Sequence, residues 1–206
     1  MKVERFTTGI FSTNCYLVSN TETKEAVIVD PAAYPMKLQD RIRTEGLKVV
    51  AVLLTHGHFD HILGIDDVLK NFDVPVYLHK DDEETINSVY LNLSRSYTGG
   101  YTFGGANYIE DGQVLELAGY KFQVIHTPGH TPGGACYYIE SEGTLFSGDT
   151  LFANSVGRTD FENGCTSDLV RSIKEKLFQL PDDVLVYPGH MGETTIGHEK
   201  KYNPYV

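Results

Sequence analysis

The run Thr55-His56-Gly57-His58-Phe59-Asp60-His61 constrains this chain more than any other stretch. Three imidazoles and one carboxylate fall within six residues, directly after the apolar run at 48–54. That apolar run reads as a strand buried on both faces. His56 and His58 are two apart, so on an extended backbone they point the same way. Asp60 keeps that period. His61 then turns away as a helix begins, with Ile62, Ile65, Leu69 and Phe72 recurring at three and four. A loop of this kind offers ligands to two adjacent metal ions. Imidazole nitrogen with carboxylate oxygen suits Zn²⁺ first, with Fe²⁺ or Mn²⁺ compatible. A merely solvated loop has no reason to concentrate four ligand-type residues at this spacing.

Three later places repeat one form, a short strand followed by a glycine turn that presents a ligand. His130 follows Thr127-Pro128-Gly129, Asp149 follows Gly148, and His190 follows Pro188-Gly189. Glycine before each ligand permits a sharp turn and close approach. Each alone is weak, since a lone turn aspartate or surface histidine is ordinary. Together with 56–61 they read as one site built at strand ends.

The rest of the chain supplies the frame. Residues 14–19 and 26–30 read as strands. Pro35 and Gly46 bracket a helix with Leu38 and Ile42 on one face. Residues 113–117, 121–126, 135–140, 144–147 and 184–187 read as further strands. A helix capped by Thr166 or Ser167 carries Val170, Ile173 and Leu177 before Pro181. This pattern predicts two sheets packed face to face with helices outside. Residues 86–108, rich in Tyr, Gly, Ser and Asn, read as a long surface excursion.

Composition excludes several classes. Lys plus Arg is 17 against Asp plus Glu 28, a net charge of −11. With no basic cluster, a nucleic-acid partner is not expected. The longest aliphatic run, 49–54, is far short of the ~20 residues that cross a bilayer. The first residues lack the apolar core of a signal peptide. Three cysteines without CxxC spacing suit a reducing cytoplasm. The 206 residues suit a single domain, 1–206.

With these motifs in place, the chain resembles the metallo-β-lactamase superfamily. His56, His58, Asp60 and His61 match its HxHxDH motif, and His130, Asp149 and His190 match its later positions in order. The resemblance implies an α/β (α+β) fold, a four-layer αββα sandwich with metals at one end. It also implies two divalent ions: His56, His58 and His130 on the first, Asp60, His61 and His190 on the second, and Asp149 bridging. Aspartate rather than cysteine at 149 separates the chain from the best-known zinc β-lactamases. The stretch 147–152 with Gly157-Arg158-Thr159-Asp160 resembles the glyoxalase II and persulfide dioxygenase branch. The stretch 192–204 resembles compact bacterial glyoxalase II-like hydrolases. Only 16 residues follow His190, so the helical extension that helps full-length glyoxalase II bind glutathione is expected to be absent.

The implied activity is hydrolysis of thioesters of the hydroxyacylglutathione type by a metal-bridging hydroxide, with Asp60 and Asp149 as catalytic residues. Its rivals are a mononuclear iron persulfide dioxygenase and a non-catalytic metal-binding protein. The expected partner is a small molecule, and nothing indicates an oligomeric state. Arg158 is the candidate clamp for a substrate carboxylate, against an internal pair with Asp160. Asn154, Tyr90, Tyr97 and Tyr101 are weaker candidates for a pocket wall. His126 is expected near the site in a supporting role, His79 at the surface, and His198 outside it. Cys165 is the one cysteine expected in a loop.

Overall fold

The computed structural model describes residues 1–206. β1 (Lys2–Thr8), β2 (Thr13–Ser19) and β3 (Glu25–Val29) form an antiparallel meander, and α1 (Met36–Glu45) crosses to β4 (Lys48–Leu53), parallel to β3. α2 (Phe59–Ile62) and α3 (Ile65–Leu69) lead to β5 (Val76–His79). α4 (Glu83–Asn87) and α5 (Ser94–Tyr97) lead to β6 (Asn107–Ile109). The first sheet has the order β1-β2-β3-β4-β5-β6. β7 (Val114–Leu117), β8 (Tyr120–His126), β9 (Ala135–Ile139) and β10 (Thr144–Gly148) make a second meander. A small hairpin, β11 (Leu151–Phe152) with β12 (Ser155–Val156), and α6 (Thr166–Glu175) precede β13 (Leu185–Pro188), which lies parallel to β10. β14 (Thr194–Thr195) and α7 (Ile196–Tyr202) close the chain, and the second sheet has the order β14-β13-β10-β9-β8-β7.

Alternation along the strands builds the layers. In β2, Tyr16 and Val18 face the second sheet, while Cys15 and Leu17 face the outer helices. Val27 and Val29 of β3 join the inner layer, with Ala26 and Ile28 outside. On the second sheet Phe122, Val124, Ala135, Tyr137 and Phe146 meet them from the other side. Leu38 and Ile42 of α1 with Ile65 and Val68 of α3 cover the first sheet. Leu169 and Ile173 of α6 with Ile196 of α7 cover the second. Both faces of the central strands are therefore apolar, as strands between two layers require. The result is the αββα sandwich.

Several boundaries differ from the sequence reading, each for a local reason. The helix expected after His61 is broken into α2 and α3 at Leu63–Gly64. Gly64 donates its N–H to Pro31 O at 2.7 Å, and a Cβ there would lie 2.6 Å from Ala33 C. α6 starts at Thr166 with Cys165 in the capping position, and it buries Leu169, Ser172 and Ile173 while Val170 is only partly buried. Residues 86–108 are not a loose excursion. They carry α4, α5 and β6, and the buried Asn92 and Ser94 both bond Tyr101 O, at 2.7 and 3.0 Å. β1 was illegible because, as an edge strand, it mixes Lys2, Glu4 and Arg5 into its run. No helix is long and apolar enough to cross a membrane.

Candidate metal centre

The ligand-type residues meet at one end of the sandwich. The segment after β4 brings His56 and His58, and α2 brings Asp60 and His61. Asp60 thus does not continue the extended period of His56 and His58. It sits in the first turn of α2, which aims it differently. The β8–β9 connection brings His130. The parallel strands β10 and β13 end together, and the turns after them bring Asp149 and His190.

Three trios have their ligand atoms within 4.8 Å of one another: His56, His58 and His130; His56, His61 and Asp149; and Asp60, His61 and His190. Asp149 lies between the two groups. Its carboxylate is 3.5 Å from His130 Nε2, 3.4 Å from His61 Nε2 and 3.4 Å from His190 Nε2. Asp60 Oδ2 is 3.4 Å from His190 Nε2 and 3.8 Å from His61 Nε2. A tetrahedral ion with bonds of about 2.1 Å sets its ligand atoms about 3.4 Å apart. Buried His56 Nε2, His58 Nε2, His61 Nε2 and Asp149 Oδ1 have no hydrogen-bond partner. Such orphans cost about 1–3 kcal/mol each unless something satisfies them. Spacing, orphaned atoms and the mixed nitrogen–oxygen donor set all fit a pair of divalent ions.

Surrounding groups orient these ligands. Asp30 Oδ2 accepts from His61 Nδ1 at 2.9 Å and from Thr55 Oγ1 at 2.7 Å, while Oδ1 accepts from Thr55 N at 2.8 Å. A carboxylate can only accept here, so Nδ1 of His61 carries a hydrogen and Nε2 is the nitrogen turned to the cluster. His130 Nδ1 likewise donates to Arg158 O at 2.7 Å, and His190 Nδ1 to Phe11 O at 3.2 Å. Thr13 Oγ1 donates to Asp60 Oδ2 at 2.8 Å. Buried Asp82 clamps two ligand-bearing loops, accepting from Gly57 N at 2.7 Å, Gly133 N at 2.9 Å and Thr131 Oγ1 at 3.0 Å. Sequence reasoning missed Asp30, Asp82 and Thr13. Only Asp30 carried a signal, for it ends an apolar strand just before Pro31, much as Asp149 ends another.

The charges are divided. Burial, reinforced by neighbouring imidazoles, holds His56 and His58 well below the usual histidine range, so both are neutral as ligation requires. Burial would also lower His61, but Asp149, Asp60 and Asp30 together push it well above that range. His190 rises to about 9, because bonds to Asp149 and Asp60 outweigh its burial. Burial would raise Asp60, yet His61, His190 and Thr13 bring it down to about 2. The second group therefore stabilises positive charge among carboxylates.

Above the cluster opens a cavity of about 560 Å³ lined by His58, Asp60, His130, Asp149 and His190 together with aromatic and aliphatic side chains. Arg158 lines it, and Nε and Nη2 both donate to Asp160, each at 2.9 Å. Tyr97 lines it too, whereas Tyr90 is exposed elsewhere and Tyr101 packs on the outer core. Asn154 does not line it: its Oδ1 accepts from His198 Nε2 at 2.8 Å, next to α7. His79 is buried rather than superficial. It stacks on His126, centroids 3.9 Å apart and planes at 10°, so His126 supports β5 and not the cluster. Their nitrogens and the exposed Asp81 carboxylate also lie within 4.8 Å of one another, but His126 Nε2 is already bonded to Pro132 O at 2.8 Å, and His79 Nδ1 accepts from Asp81 N at 3.3 Å. That pair is structural. Cys165 is partly buried beside Ser167 and also lies outside the cavity.

A family model described as the metallo-beta-lactamase superfamily matches residues 8–190. The chain belongs to the metallo-beta-lactamase superfamily. Within it, the chain is 34% identical over 216 residues to the hydroxyacylglutathione hydrolase GloC of Haemophilus influenzae, covering 100% of this chain and 98% of that one. The crystal structure of BLEG-1, a B3 metallo-beta-lactamase, is 40% identical and superposes with a TM-score of 0.92, covering 99% of both chains. A di-iron-bound form of TTHA1623 is 37% identical with a TM-score of 0.85, covering 98% of this chain and 100% of the other. Superfamily membership and the His/Asp cluster make this a metal-dependent hydrolase.

Proposed function

We propose that this chain is a cytoplasmic thioesterase of the hydroxyacylglutathione type, a single domain that works with two divalent ions, zinc first. The observation that supports the reading is Asp149, whose carboxylate lies 3.4 to 3.5 Å from His61, His130 and His190 in the lining of a largely apolar cavity. The ligand roles are those expected from the motif: His56, His58 and His130 on one ion, Asp60, His61 and His190 on the other, with Asp149 shared. Three free cysteines support a reducing compartment.

A pair of divalent ions bound there supplies a water acidic enough to ionise near neutral pH and an electrophile for an acyl oxygen. The chain's own residues do the rest. Asp60, held at about 2, is a carboxylate at neutral pH, oriented by Thr13 Oγ1. It can accept a hydrogen bond from a water and so orient it. Arg158 is exposed, and its pair with Asp160 is the kind that solvent screens, so exchanging that partner for a substrate carboxylate costs little.

The leaving group favours a thioester. A thiol has a pKa near 8.5 and departs as thiolate without an acid. A β-lactam, the competing acyl compound given the likeness to BLEG-1, releases an amine, a poorer leaving group that needs a proton to depart. The test is a panel of S-lactoylglutathione, a β-lactam and a persulfide, run on one metal-assayed preparation. Thioester hydrolysis that disappears with bound metal in His58→Ala and Asp149→Ala supports the reading. About one iron per chain with oxygen uptake on the persulfide would replace it with a dioxygenase.

A further inference from the structure

The cavity lining holds two unlike groups of side chains. In one, Arg158 lies 4.8 Å over the Phe161 ring and is the only lysine or arginine in the wall. In the other, Phe11, Phe59 and Tyr97 pack together, with centroids 5.7, 5.0 and 5.2 Å apart. Leu93 and Met191 also line the cavity, each next in sequence to a residue bonded to this group. Leu93 follows Asn92, whose carbonyl accepts from Phe59 N at 2.9 Å, and Met191 follows His190, which bonds Phe11 O. Phe11, Tyr97 and Met191 are 44%, 53% and 57% exposed, a joined apolar surface at the mouth.

The backbone here is in an expensive conformation. Leu93 and Met191 both have φ of +67°, the left-handed region that favours glycine. Glycine would relieve the strain, so retaining two large apolar side chains at the cavity wall requires a benefit the fold alone does not supply. Neither side chain is in the main cores. What both share is the cavity.

We propose that the Phe11–Phe59–Tyr97 side receives an apolar acyl chain, and that Leu93 and Met191 determine specificity for it. The proposal rests on the thioesterase reading above. A thioester has two ends. A thiol carrier bearing carboxylates matches the side with Arg158, which leaves the acyl end to the aromatic side. A compact polar acyl group such as lactoyl leaves this surface wet, and a phenyl or branched aliphatic chain covers it.

The test compares kcat/KM of the metal-loaded full chain on S-phenylacetylglutathione and S-lactoylglutathione, which differ only in the acyl group. The wild type should favour phenylacetyl by about tenfold or more, the scale at which apolar pockets discriminate. Leu93→Gly and Met191→Gly should each cut that ratio several-fold, mainly through KM, with Tm equal to or above wild type because glycine relieves the left-handed strain. Lys24→Gly, also left-handed at +62° but exposed and remote from the cavity, should keep the ratio. Phenylacetate should also inhibit the wild type competitively, a readout that needs no variant to fold. A wild-type ratio at or below one, an unchanged ratio in both folded glycine variants, or no phenylacetate inhibition would overturn the proposal and leave the thioesterase reading standing. Hydrolysis of neither compound would remove that reading and this proposal with it.

Discussion

Asp30 does not line the cavity, yet it sets which nitrogen of His61 faces the cluster and holds Thr55 at the base of the ligand loop. Partners of this kind typically change metal affinity by about 10–100-fold. Asp30→Ala should therefore keep all the ligands and still lose about that much affinity, read by competition with a chromogenic chelator. Undiminished affinity would mean the Asp30–His61 bond is incidental. Gly189 makes a second case. A Cβ there would run into Asp149 Oδ1 and lie 2.7 Å from His61 Cε1. Gly189→Ala should leave secondary structure intact by circular dichroism but abolish binding at the site shared by His61 and Asp149. At this scale the clustering of the His and Asp residues was legible because residue type and spacing coincide with strand ends. The clamp made by Asp82 was not, since the loop residues it holds, Gly57, Thr131 and Gly133, lie 25 or more residues away, and the strand-end position of Asp30 gave no sign of its bond to His61, 31 residues on.

The elements matter chiefly by where they stop. β4, β10 and β13 were readable as apolar runs, and their C-terminal ends deliver the site. The break between α2 and α3 was not readable, because it depends on Gly64 passing close to Pro31 and Ala33, a contact between segments far apart. The His79–His126 stack is another product of tertiary structure, joining the end of β5 to the end of β8 and so one sheet to the other. Burial, with the His126 charge adding to it, lowers His79 to about 4. The unfolded chain takes up that proton near 6.5, so stability is full above pH 6.5 and falls as pH drops toward 4. The loss should reach on the order of 3 kcal/mol. Urea titrations of metal-free protein across that window should show a shallower slope in His79→Phe than in the wild type. Parallel slopes would place the acid sensitivity elsewhere.

For the molecule as a whole, the cluster is a stability device as well as a reactive one. Carboxylates and imidazoles from both halves of the sandwich meet in a small volume, so bound ions tie the two sheets together. A ligand present at about a thousand times its Kd stabilises by about 4 kcal/mol, which in a domain of this size raises Tm by about 10 °C. Scanning calorimetry with and without a chelator should show a difference of that order, and coincident transitions would count against the centre. The layered fold was legible in the alternating strands. The shape and apolar lining of the cavity were not, because Phe11, Leu93 and Met191 come from connections with no periodicity. The central claim is that the two ligand groups around Asp149 act together in hydrolysis. The direct measurement is the rate of S-lactoylglutathione hydrolysis as metal is returned to stripped protein. The account predicts no hydrolysis without metal, a plateau at about two ions per chain, and no rise in Asp149→Ala. Hydrolysis by the stripped protein, or full recovery in Asp149→Ala, would contradict it.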